Sequence, residues 1–204
     1  MNVDEHWERL WTGKRPNEVG WFEAKPTTTL ELIGDITLKH DSEIVDVGGG
    51  ASTLVDELLD RGFERLTVVD LAESSLNIAR ARLGPRADRV RWLQADARAL
   101  HLSSPADLWH DRAVFHFLIE PADQEGYLSS LREAVGPGGH VIIATFGPQG
   151  PQECSGLRVE RYDAGKLSQR LGSEFRLLRS LESLHITPWG STQQFTYCLF
   201  RRTE

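Results

Sequence analysis

Short apolar runs alternate with segments of helical periodicity along most of this chain, and that alternation limits the fold more than any single motif does. The runs "SEIVDV" (42–47), "RLTVVDL" (65–71), "RVRWLQAD" (89–96), "ADLWHDRAVF" (106–115) and "GPGGHVIIATF" (136–146) have the length and composition of buried strands. Between them, "ASTLVDELLDRG" (51–62) and "ESSLNIARARLG" (73–84) repeat apolar residues at helical spacing and stop at a Gly. "DQEGYLSSLREAV" (123–135) reads as a further helix, and residues 26–38 open with Pro and Thr before placing Leu30, Ile33 and Ile36 on one face. Strands that are each followed by a helix assemble into a parallel sheet covered on both faces.

After residue 146 the pattern changes. A helix near 163–171 precedes two long strands, "EFRLLRSLESLHIT" (174–187) and "TQQFTYCLFRR" (192–202), with Pro188 and Gly190 between them. That spacing predicts an antiparallel hairpin. The expected class is α/β, a doubly wound sheet of seven strands, mostly parallel, finished by the hairpin.

Composition sets outer limits. A chain of 204 residues suits one domain with a full core. The net charge of -7 argues against sequence-independent binding to nucleic acid, which needs a basic surface. Cys154 and Cys198 are the only cysteines, too few and too far apart for a disulfide framework or thiolate metal site. The acidic, aromatic start "MNVDEHWERLW" lacks the layout of a signal peptide, and no apolar run approaches a membrane span. A cytoplasmic protein with no membrane or metal partner is the expectation.

The turn after the first strand, "VDVGGGAST" (45–53), is where a nucleotide would be held. A dinucleotide fingerprint G-x-G-x-x-G needs a third Gly where this chain has Thr53, and a P-loop needs a Lys that is absent. Asp46, two residues before Gly48, would repel a pyrophosphate but suit the ammonium and sulfonium of S-adenosylmethionine (SAM). Asp70 closes the second strand, where an acid can accept hydrogen bonds from both ribose hydroxyls. Asp96 closes the third, where it can accept from an adenine amino group with the Ala97 N–H facing the ring. Ligands in such sheets bind outside the carboxyl ends of the strands, so Asp46, Asp70, Asp96 and Asp111 are expected along one crevice.

These motifs together resemble the class I SAM-dependent methyltransferases, the seven-stranded Rossmann-like family. "VDVGGGAST", "VVDL", "LQADA", "ADLWHDRAVFHFL" and "VGPGGHVIIATF" stand in the family's order, with Gly49 where a Cys is frequent. The resemblance implies SAM as cofactor, held by Asp46, Gly48, Gly50, Asp70, Leu71, Asp96, Ala97 and Asp111. It also implies a division into a SAM-binding core (26–146), a cap (1–25) and a substrate-side loop with hairpin (147–204).

The cap, "HWERLWTGKRPNEVGWFEAKP", puts Trp7 and Trp11 one helical turn apart and adds Trp21 and Phe22. It reads either as a face that closes the core or as a lid over the cofactor, with Trp11 and Trp21 on the cofactor and Phe22 on the substrate. Methyl transfer from a sulfonium is an in-line displacement in which alignment and exclusion of water matter most, and a base is needed only for a protonated acceptor. The candidates beside the methyl group are Asp111 and His116, although His116 reads more readily as a packing residue in "AVFHFL". Asp111 is preferred to its neighbour His110, because adjacent strand residues face opposite ways. Arg161, Tyr162 and His185 are expected to line the substrate. A small-molecule acceptor at S, N or O is the leading reading; protein lysine methylation and SAM binding without turnover are the alternatives.

Overall fold

The computed structural model describes residues 3–203. The five alternating strands are β1 (Glu43–Val47), β2 (Arg65–Asp70), β3 (Val90–Gln94), β4 (Ala106–Arg112) and β5 (Val135–Phe146). A pair of two-residue strands follows, β6 (Glu153–Cys154) and β7 (Leu157–Arg158), and then the long β8 (Phe175–Ile186) and β9 (Thr192–Arg202). The helices are α1 (Val3–Gly13), α2 (Thr27–Gly34), α3 (Leu54–Asp60), α4 (Glu73–Leu83), α5 (Pro121–Ala134) and α6 (Ala164–Leu171). The main sheet has seven strands in the order β3-β2-β1-β4-β5-β9-β8, parallel except for β9, which is antiparallel to both β5 and β8. The expected class and the closing hairpin are both present.

Side chains alternate across each strand, so each one feeds two cores. Ile44, Leu66, Val68, Leu108 and Ile142 pack with α2, α3 and α4 on one face, and Val45, Val69, Trp109, Val141 and Ile143 pack with α5 and α6 on the other. The tight turn expected at 136–139 sits inside the β4–β5 ladder. Ala106 pairs with Val135 but Leu108 with His140, so Gly136–Gly139 bulge out and Gly138 takes φ +86°.

The β4 tip turns through Ala113, a non-Gly residue at φ 70°. The left-handed region costs an L residue on the order of 1 kcal/mol that Gly avoids. Ala113→Gly is therefore expected to hold or raise stability by up to ~1 kcal/mol in denaturant unfolding, whereas the β-branched Ala113→Val should lower it. Equal stability of the Gly and Val variants would contradict the strain. The strand order reverses beside β1, between β2 and β4, which is where such sheets form a crevice. No helix among the described residues is long and apolar enough to cross a membrane.

Candidate active site

A cavity of about 380 Å³ lies in that crevice. The strand tips line it, with Asp46, Gly48, Asp70, Leu71, Asp96 and Ala97 on the wall, whereas Gly50, expected there too, lies behind the lining against Asp70 and Ser75. Its roof is aromatic. Trp7, Trp11, Trp21 and Phe22 line it together with Phe117. The rings meet edge to face, Trp7 to Trp21 at 5.9 Å, Trp11 to Trp21 at 6.1 Å and Trp7 to Phe117 at 5.0 Å between centroids.

Side chains of the core hold the N-terminal segment in place. Thr53 Oγ1 donates to the Glu23 carbonyl at 3.0 Å, Arg112 Nη1 to the Trp21 carbonyl at 2.9 Å, and His185 Nε2 to the Gly20 carbonyl at 2.7 Å. Trp11 and Val19 are buried against Ala51 and Ala72. The segment is thus both core and roof. Arg15 is engaged with Glu18 at 2.7 Å rather than with the cavity.

The glycine turn is shaped by what lies beneath it. Gly50 has φ +29°, and a Cβ there would collide with Asp70 Oδ2 and Ser75 Oγ. A Cβ at Gly49 would meet Asp46 Oδ2. Asp46 is buried, and its Oδ1 lies 2.7 Å from His110 Nδ1, while Oδ2 has no hydrogen-bond partner. His110 Nε2 in turn lies 3.1 Å from Thr29 Oγ1. Asp70 is half-buried and accepts from the Ala72 N–H at 2.9 Å. Burial pushes its carboxyl up to about 6, against the opposing pull of that hydrogen bond.

Asp96 faces a different competitor. Arg98 Nε bridges both of its oxygens, at 3.0 and 2.9 Å, and its Nη1 donates to Asp123 Oδ1 at 2.6 Å. Burial works against the ionised form, but the Arg98 hydrogen bonds and charge outweigh it and hold this carboxyl below its ordinary value.

Two expectations at the β4 tip are corrected. Asp111 does not line the cavity. It is fully buried on the α5 side, accepting from Tyr127 Oη at 2.6 Å, the Val114 N–H at 2.9 Å and the Phe115 N–H at 3.0 Å. The strand stays regular and pairs His110 with Asp46, so His110 and Arg112 face the cavity and Asp111 faces the core. His116 is likewise outside. It is buried between Phe117 and Phe146, its Nδ1 accepts from the Phe146 N–H at 3.2 Å, and burial with the Arg112 charge lowers it to about 3, so it stays neutral.

Three substrate-side expectations also fall elsewhere. Arg161 donates to the carbonyls of Pro148 at 2.8 Å and Gly150 at 3.2 Å, which pins the loop it sits in. Tyr162 is buried, with its hydroxyl accepting from Gln124 Nε2 at 3.1 Å. His185 serves the roof through Gly20. The cavity wall instead includes Glu23, Arg112, Cys154, Leu157 and Arg158.

Comparison with known proteins agrees with this geometry. The model of a methyltransferase domain matches residues 44–139. A ubiquinone/menaquinone biosynthesis C-methyltransferase of Paracoccus denitrificans is 35% identical over 112 residues, 53% of this chain and 44% of that protein. A demethylmenaquinone methyltransferase of Thermus thermophilus is 30% identical over 154 residues, covering 71% of this chain and 68% of its own. The chain thus spans less than half the length of the Paracoccus relative. Among solved structures, a SAM-dependent methyltransferase from Anabaena variabilis superposes with a TM-score of 0.78 at 17% identity, over 99% of this chain and 96% of that one. With its sheet order and its row of carboxylates under a glycine turn, the chain belongs to the seven-stranded, Rossmann-like family of SAM-dependent methyltransferases.

Proposed function

We propose that this protein transfers a methyl group from SAM to a small-molecule acceptor. The observation that carries the reading is the roofed cavity, in which strand-tip carboxylates lie on one side and a tryptophan wall on the other. When bound, SAM supplies a methyl group already activated by its sulfonium. The residues present fit it: Asp46 Oδ2 is a buried acceptor without a partner, suited to a cationic group, and Gly49 and Gly50 let the turn lie directly against Asp46 and Asp70, where a Cβ would collide.

The chain's own part is binding, orientation and dehydration. Asp70 Oδ2 would accept from the ribose hydroxyls with Leu71 beside it, and the Ala97 N–H would face the adenine. Asp96 contributes whatever acceptor capacity Arg98 leaves. His110 and Thr29 fix the Asp46 carboxylate in one orientation. Trp7, Trp11 and Trp21 exclude water from the displacement, which strengthens each polar contact inside. Phe22 and Phe117 provide flat apolar surface for the acceptor.

A roof of packed aromatic rings favours a molecule that is enclosed over a lysine presented by a folded protein. The Paracoccus relative is named for C-methylation in ubiquinone/menaquinone biosynthesis and the Thermus relative as a demethylmenaquinone methyltransferase, which supports the same class. The test is detection of S-adenosylhomocysteine (SAH) released in the presence of thiols, amines, phenols, carbon acids and candidate proteins. Turnover with a small molecule is the expected result, and turnover with protein alone would contradict it.

The roof itself gives a separate expectation. A chain beginning at Lys25 should retain its circular dichroism spectrum while losing most of the SAH-induced rise in Tm. An undiminished rise would show that residues 3–24 are only packing.

A further inference from the structure

The acceptor end of the cavity contains a buried cation with one unused donor. Arg112 leaves β4 in phase with His110, and its side chain is 10% exposed. Its Nε donates to Tyr197 Oη at 2.8 Å and lies 3.2 Å from Glu23 Oε2, its Nη1 donates to the Trp21 carbonyl, and the guanidinium sits 4.5 Å over the Phe195 ring. Nη2 is buried with no hydrogen-bond partner. Such unpaired buried donors are rare in folded proteins and call for an explanation.

The surrounding wall narrows what could satisfy it. Cys154 is buried there, and burial raises its thiol to about 11 even with the Arg112 charge pulling the other way, so it supplies no anion near neutral pH. Leu157 is apolar. Arg158 stands exposed at the rim. Glu23 is the carboxylate of this end, and it is already set against Arg112 Nε, with His185 Nδ1 at 3.9 Å. Glu23 faces Arg112 through Nε, so Nη2 is left for a group on the acceptor.

We propose that the methyl acceptor carries an oxyanion, a carboxylate or an acidic enol or phenol oxygen, and that Arg112 binds it through Nη2. This deepens the methyltransferase reading and rests on it. Arg112 is then a specificity residue. Its other nitrogens remain committed to Tyr197 and Trp21, which aim the fork and limit the side chain to one orientation. Glu23 modulates the site, since its charge opposes that of the incoming anion.

The test uses the full chain saturated with SAH and two matched probe pairs, 4-hydroxybenzoate with 4-hydroxybenzamide, and indole-3-acetate with indole-3-acetamide. Affinities are read by saturation-transfer NMR. At least one carboxylate should bind tenfold or more tightly than its amide. Glu23→Gln should strengthen that carboxylate several-fold while keeping SAH affinity within about threefold, and Arg112→Gln should erase the preference. The opposite signs separate recognition from a structural role, and the Glu23→Gln arm stands even if Arg112→Gln folds poorly. Equal binding within both pairs, no carboxylate binding, or weaker carboxylate binding by Glu23→Gln would overturn the acceptor class alone. Failure of SAH to bind would overturn the methyltransferase reading with it.

Discussion

Replacing Asp70 by Ala should weaken SAM and SAH binding by about 100-fold, close to 3 kcal/mol, as expected when charge-assisted hydrogen bonds to a ligand are lost. Asp70 closes β2 beneath Gly50, and one of its oxygens is already held by the Ala72 N–H, so the other is fixed for a ligand. The same carboxyl gives a pH signature. Its value in the folded protein is pushed up to about 6 by burial, so it loses its charge as pH falls through that value. SAH affinity should therefore drop between pH 7.5 and 5.5 in the parent, and that part of the drop should be missing in Asp70→Ala. Calorimetry at both pH values reads both effects. Parental affinity in the variant would mean that the ribose lies elsewhere.

The second large effect is on stability. Asp111→Ala should cost about 3–5 kcal/mol at pH 7, because it strands the Tyr127 hydroxyl and the N–H groups of Val114 and Phe115 in the core, each worth roughly 1–3 kcal/mol when left unpaired. Tyr127 also accepts from Trp109 Nε1 at 2.9 Å, so the loss reaches a chain of buried polar groups. Burial raises the Asp111 carboxyl from 3.8 to about 6, with the Tyr127 hydrogen bond opposing it. The folded state thus holds this proton more tightly than the unfolded chain. The resulting stabilisation is complete below about pH 4 and is lost as pH rises through about 6. The gap between parent and variant should widen by about 1 kcal/mol from pH 7 to pH 5. Urea unfolding at the two values measures it; a gap under 1 kcal/mol at both would place Asp111 outside the load of the fold.

The sheet was legible because its evidence is periodic. Apolar runs and helical spacing recur five times, and each predicted strand lies within a few residues of an observed one. Asp46 and Asp70 were legible for the same reason, since a carboxylate that ends a buried strand next to a glycine turn has few other places to go. The face of β4 was not legible. Both faces of a central parallel strand are buried, so "HDR" carries no polar alternation to say which side chain meets the cavity. The deciding contact, His110 with Asp46, joins residues 64 apart in the chain. Arg161, Tyr162 and His185 were misplaced because a loop's composition does not reveal its path. Arg161 turns back onto its own loop, and β6 and β7 carry Cys154 and Leu157 to the wall instead. Arg112 and Glu23 come together only once the N-terminal segment crosses the β4 tip.

Calorimetric titration of the full chain with SAH, SAM and NAD distinguishes a SAM cleft beside β1 from a dinucleotide site. Asp46 puts a buried, unpartnered carboxylate oxygen under the glycine turn, where it would repel a pyrophosphate and attract a cationic group. Saturable one-site binding of SAH and SAM is expected, with no detectable heat from NAD at the same concentrations. Saturable binding of NAD with none of SAH or SAM would contradict it.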